Sequence, residues 1–154
     1  MTATKTYYFG GYTLEPTTEQ HLELAEKWTA LDKYHAGVIS PEFWLYQGAS
    51  TDSYLLNDGA GPVFFLKVHQ HEGKRVALHI QFMPCATEQD MERTVEGLLQ
   101  GTPWLEGILR ESQVEEIFFD TQSKPLIAFA IKRLGFLMDM ASGRNGEFRL
   151  GKRL

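Results

Sequence analysis

The side chains of this chain that could move a proton or hold a metal are few, and their placement narrows the chemistry. His79 sits in the run Arg75 to Met83, RVALHIQFM, where Val76, Leu78, Ile80 and Phe82 alternate with Ala77, His79, Gln81 and Met83. An imidazole titrates near neutral pH, so it can take a proton from a nucleophile without special surroundings. The same residue can equally be a strand histidine hydrogen-bonded within the fold. Asp120 ends the short apolar run from Glu115, where a carboxylate either faces a cleft or opens a turn. His69 and His71 share one strand face, a spacing that suits a metal when a third ligand converges. None is evident nearby, so they read as edge histidines and no metal is expected. Cys85, the single cysteine, has no activating neighbour in sequence and reads as a small packed residue. Glu115 and Glu116 read as the solvated entry to a buried strand, and Trp28, Trp44 and Trp104 as core.

The elements that must position these groups follow from periodicity and punctuation. A first strand is expected over Thr6 to Leu14, with Gly10-Gly11 as a bulge or bend. Thr17 and Gln20 suggest a capping box for a helix carrying Leu24, Ala25, Trp28 and Leu31 on one face. His35-Ala36-Gly37 would end it, and Ser40-Pro41-Glu42 would start a short second helix. A three-strand meander is expected over Ser53 to Asn57, Val63 to His71 and Arg75 to Met83, joined by glycine-containing turns. Its last strand is apolar on both faces and therefore central. Thr87, with Asp90 at the capping-box position, opens a helix through Met91, Val95, Leu98 and Leu99. Gly101-Thr102-Pro103 is expected to break it, with Thr102 starting a short helix that buries Trp104, Leu105, Ile108 and Leu109. Near the end, Phe136 to Ala141 and Glu147 to Leu150 flank an Asn145-Gly146 hairpin signal.

Composition excludes several classes. The 154 residues suit one domain, 1–154, and the 43% apolar share suits a folded protein. A net charge of −5 argues against a nucleic-acid face, since phosphate neutralisation needs clustered Lys and Arg. No apolar run approaches a membrane span, and the first residues lack a signal peptide's pattern, so a cytoplasmic protein is expected.

The segment Glu115 to Phe136, EEIFFDTQSKPLIAFAIKRLGF, is the most specific part of the chain. It reads as a strand, a helix capped by Ser123 with Pro125 in its first turn, and a Leu134-Gly135-Phe136 exit into another strand. Lys132 and Arg133 sit by the negative end of that helix. This unit, within the order β-α-α-β-β-β-α-β-α-β-β, resembles the GNAT acetyltransferase superfamily. The resemblance implies an α+β fold with a twisted, mostly antiparallel sheet flanked by helices. It implies acetyl-CoA or another acyl-CoA as donor and a small-molecule or protein amine as acceptor. The cofactor-binding positions it implies are Gln81, Phe82, Met83 and Thr87, and His79 and Asp120 become the catalytic candidates. The chain departs from the family's pattern in three places. Its Met83 to Met91 loop has no glycine to bring backbone amides onto a pyrophosphate. Ile131 stands where the family often has a tyrosine, and Lys124 near its asparagine. The alternative is a GNAT-like domain without CoA binding, serving as a non-catalytic binding or assembly module.

Overall fold

The computed structural model describes residues 1, 4–139 and 146–154. Its strands are β1 (Tyr7–Phe9), β2 (Tyr12–Pro16), β3 (Thr51–Asp58), β4 (Gly61–His71), β5 (Arg75–Phe82), β6 (Glu116–Thr121), β7 (Leu137–Asp139) and β8 (Phe148–Arg153). Its helices are α1 (Leu22–Leu31), α2 (Glu88–Glu111) and α3 (Lys124–Phe129). The strands form one sheet in the order β1-β2-β3-β4-β5-β6-β8-β7, antiparallel throughout except for β5 beside β6. No helix among the described residues is long and apolar enough to cross a membrane.

Alternation along β4 divides the core between the two faces of the sheet. Phe64 packs toward α2, where a Cβ added to Gly97 would lie 3.3 Å from Phe64, Val63 and Leu56. Its neighbour Phe65 points the other way, edge-on to Trp28 of α1 with ring centroids 5.4 Å apart. Fully burying one such side chain contributes roughly 1.5–3 kcal/mol.

The feature that positions the site is a loss of pairing. β5 and β6 run parallel at Arg75↔Glu116, Val76↔Ile117 and Ala77↔Phe118, and there their ladder stops. β5 stays with β4 as far as Phe64↔Phe82, while β6 stays with β8 as far as Thr121↔Phe148. The sheet therefore opens between Leu78–Phe82 and Phe119–Thr121.

Four expectations from sequence are corrected. The first strand is a hairpin: Gly10 (φ 50°) and Gly11 (φ 84°) are both left-handed and join Phe9 to Tyr12 as a two-residue turn. The cap before α1 is Thr18, whose oxygen accepts from the Gln20 amide while its own amide donates to His21. Thr17 is drawn inside instead, donating its hydroxyl to the Trp44 carbonyl at 2.9 Å. α2 does not break at Gly101-Thr102-Pro103 but runs on to Glu111. A proline inside a helix costs about 3 kcal/mol. Burial of Leu98 before it and Leu105 and Leu109 after it, with Trp104 stacked 4.3 Å from Phe9, outweighs that cost. At the C-terminal end β8 extends to Arg153, beyond the expected Leu150. The expected strand residue Ala141 and most of the Asn-Gly turn lie outside the described residues.

The α3 segment keeps its expected punctuation. The Ser123 hydroxyl accepts from the Leu126 amide, and Pro125 occupies the first turn. The helix widens into a π turn over Ala130–Leu134 and stops at Gly135, whose φ of 79° suits glycine.

Candidate active site

The opening between β5 and β6 leads into a cleft of about 940 Å³. That volume lies in the upper part of the range for small-ligand sites, about 300–1,000 Å³. Its walls are mostly aromatic and aliphatic, with Phe43, Trp44, Phe82, Met83 and Phe119 among them. The buried indole N–H of Trp44 has no hydrogen-bond partner among the described residues. Its titratable lining residues include Asp32, Lys33, His35, His79, Asp120 and Glu147.

His35 is the residue that sequence reasoning missed as a functional group. α1 ends at Leu31, and Asp32 turns the chain in an extended conformation while its Oδ1 accepts from the Tyr34 amide at 2.9 Å. His35 and Ala36 then donate their amides back to the Asp32 carbonyl. This turn lowers both side chains onto Gln81 of β5. The Gln81 amide nitrogen donates to Asp32 Oδ2 and to the Phe82 carbonyl, both at 3.0 Å, so its Oε1 must face His35. His35 Nδ1 lies 2.7 Å from that Oε1 and 3.3 Å from Asp32 Oδ2. Both neighbours are acceptors, which assigns the proton to Nδ1. In the neutral ring Nε2 then carries the lone pair, and the ring lines the cleft. The only sequence signal was Asp32 three residues before His35 at a helix end.

The predicted residues are spread unevenly around this arrangement. His79, Phe82, Met83 and Asp120 line the cleft. Gln81 does not line it; its side chain is fully buried and holds His35 and Asp32. Thr87 lies at the start of α2, where its hydroxyl accepts from the Asp90 amide. Asp120 is held by both arms of Arg149, at 2.8 and 3.0 Å, so it is a paired carboxylate. Cys85 is exposed, not packed, with Sγ 3.5 Å from the Thr94 hydroxyl.

Electrostatics separates the candidates further. The His79 ring is edge-on to Phe43 and pairs across the strands with Lys67. The residue is exposed at the cleft wall, with Phe43 and Lys67 against it. Burial first, then Lys67, push its pKa down to about 4, so it is neutral at pH 7. Lys67 is itself buried; its ammonium donates to the Phe43 carbonyl at 2.8 Å and lies 3.5 Å above that ring. Burial lowers its pKa to about 8. Glu147 is shifted upward, by burial first and then by Asp120, with His35 acting against the shift. The His69 and His71 rings lie tilted to each other with centroids 4.8 Å apart, and no group of three metal-ligating side chains exists among the described residues.

The loop from β5 to α2 is closed on itself. The amides of Ala86 and Thr87 both donate to Asp90 Oδ2 at 3.2 Å, completing a capping box. Arg93, the nearest base on α2, grips Asp58 through two nitrogens, both at 2.8 Å, while its third lies 3.8 Å from Met83 Sδ.

This architecture is shared with solved acetyltransferases. A candidate ribosomal-protein-serine acetyltransferase from Vibrio cholerae superposes with a TM-score of 0.72 at 11% identity, over 100% of both chains. The chain has the GNAT fold. RimL, a ribosomal L7/L12 alpha-N-protein acetyltransferase in complex with coenzyme A, gives 0.67 at 12% identity over 97% of this chain and 98% of that one. PaiA N-acetyltransferase from Thermoplasma acidophilum, also in complex with coenzyme A, gives 0.58 at 13% identity over 94% and 100%. At these identities the likeness is one of GNAT architecture alone. No protein-family model matches the sequence, and no curated protein does.

Proposed function

We propose that the chain transfers an acyl group from a thioester to an amine within the β5–β6 cleft. The observation that carries this reading is a histidine oriented by Asp32 and Gln81 on the wall of a GNAT-type strand split. The donor supplies an activated acyl carbon when bound. The β5 edge beyond Ala77, left unpaired by β6, offers backbone groups to its arm. As the amine nitrogen bonds to the acyl carbon and the carbon–sulfur bond breaks, the amine's proton passes to His35 Nε2 and the thiolate departs. Imidazole at this job contributes about 10²–10⁴-fold. His79 is the second candidate, but its pKa of about 4 makes it a weaker base than an ordinary imidazole. Glu147, beside the Arg149-paired Asp120, adds a carboxylate that favours a cationic amine in the cleft, whether a small molecule or a protein terminus.

Coenzyme A's thioester arm fits the cleft, whereas its diphosphate meets a loop whose Ala86 and Thr87 amides are already used. That closure is the one observation favouring a non-catalytic module instead. The test is thiol release from acetyl thioesters against a panel of polyamines, lysine and short peptides. Turnover in the wild type that falls at least about 10²-fold in His35→Ala, with donor affinity kept, is expected. Unchanged turnover in that variant would remove His35. No turnover with any amine would leave the module reading standing.

A further inference from the structure

We infer that this chain recognises its acyl donor as a pantetheine thioester and draws no affinity from the donor's diphosphate. The inference rests on the acyl-transfer reading above and concerns which part of the donor the protein holds. A helix N-terminus attracts phosphate through free amides and a positive dipole end. Here that end is filled by the chain's own carboxylate. Asp90 Oδ2 accepts from both Ala86 and Thr87, the Asp90 amide returns to the Thr87 hydroxyl, and the Met83 amide is spent on the Val63 carbonyl. Pro84 has no N–H to give. The amides of Cys85, Glu88 and Gln89 remain, and the last two share their turn with the Glu88 carboxylate.

Charge points the same way. Between Met83 and Glu92 the loop and first helical turns carry Glu88, Asp90 and Glu92 and no basic residue. Arg93, which could have offset them, is bound to Asp58 and to the carbonyls of Gly61 and Pro62. A diphosphate brought to this end would meet carboxylates where it needs donors. The thioester arm needs only the apolar cleft and an unpaired strand edge, and both are present.

The experiment compares acetyl-CoA with S-acetyl-pantetheine by calorimetric titration of the wild-type protein. The two are expected to bind within about threefold of each other. In Asp90→Ala, which frees the Ala86 and Thr87 amides and keeps Thr87 as cap, acetyl-CoA is expected to tighten roughly tenfold while acetyl-pantetheine stays unchanged. Wild-type preference for acetyl-CoA by tenfold or more overturns the inference and leaves acyl transfer intact. Failure of both thioesters to bind overturns the inference and the acyl-transfer reading together. Equal tightening of both, or of neither, in Asp90→Ala removes Asp90 as the group that closes the loop.

Discussion

Gln81 Oε1 and His35 Nδ1 lie 2.7 Å apart, joining residues separated by 46 positions in the chain. Because the Gln81 amide nitrogen is fixed by Asp32 and the Phe82 carbonyl, the contact sets the tautomer of His35 as well as its place. Gln81→Leu removes the acceptor and leaves Asp32 short of a donor. It should cost about 1–3 kcal/mol of stability. Turnover should fall at least about tenfold, with donor affinity retained, as for a group that orients a base. Nitrogen-15 shifts of the His35 ring should report an Nδ1–H tautomer in the wild type and a mixture in the variant.

Lys67 is a buried ammonium that donates to the Phe43 carbonyl and lies over the Phe43 and Tyr46 rings. Its folded pKa of about 8 lies below the unfolded value, so the folded state binds fewer protons between those limits. Its burial cost is fully present below pH 8 and is relieved as pH rises toward about 10.4. Lys67→Met should therefore raise stability at pH 7 by roughly 1–3 kcal/mol, after losing the Phe43 bond. Urea unfolding at pH 7 and pH 10 checks the sign, because the gain should shrink at the higher pH.

Asp58 and Arg93 form a two-nitrogen pair that ties α2 to the β3–β4 turn. The bond from Arg93 holds the Asp58 carboxyl below its ordinary range. That stabilisation is complete above the unfolded carboxylate value of about 3.9 and is lost as pH falls through the lower folded value. Arg93→Ala should cost about 1–3 kcal/mol at pH 7 and flatten the acid limb of the stability curve. Thermal melts from pH 2 to pH 7 read both effects.

Pro103 sits inside α2 and removes a backbone bond that the helix would otherwise make. Pro103→Ala should raise stability by roughly 1–3 kcal/mol, provided Trp104 keeps its stack on Phe9. A loss of stability instead would mean that the proline shapes the packing of α2 against the β1–β2 hairpin.

The parts of the fold legible in sequence were those fixed by local rules. The β3–β4–β5 meander announced itself through alternation and short turns, and α3 through Ser123, Pro125 and Gly135. Where distant contacts decide, sequence reading failed. Thr17 reads as a cap until the Trp44 and Ser53 carbonyls claim its hydroxyl. Pro103 reads as a break until the buried leucines on either side hold the helix together. Gly10-Gly11 carried an ambiguous signal, since paired glycines serve a bulge and a tight turn alike. At the site, His79 and Asp120 stood out by residue chemistry and by the GNAT resemblance, and both line the cleft. His35 did not stand out, because its role exists only through Gln81.

The central claim is that the split between β5 and β6 holds a thioester arm. Amide chemical-shift mapping with S-acetyl-pantetheine tests it without knowledge of the acceptor. The account predicts saturable shifts at Leu78–Met83 and Phe119–Thr121, with the His35 ring responding and the Ala86 and Thr87 amides unmoved. Absent shifts, or shifts confined to another face of the sheet, would contradict it.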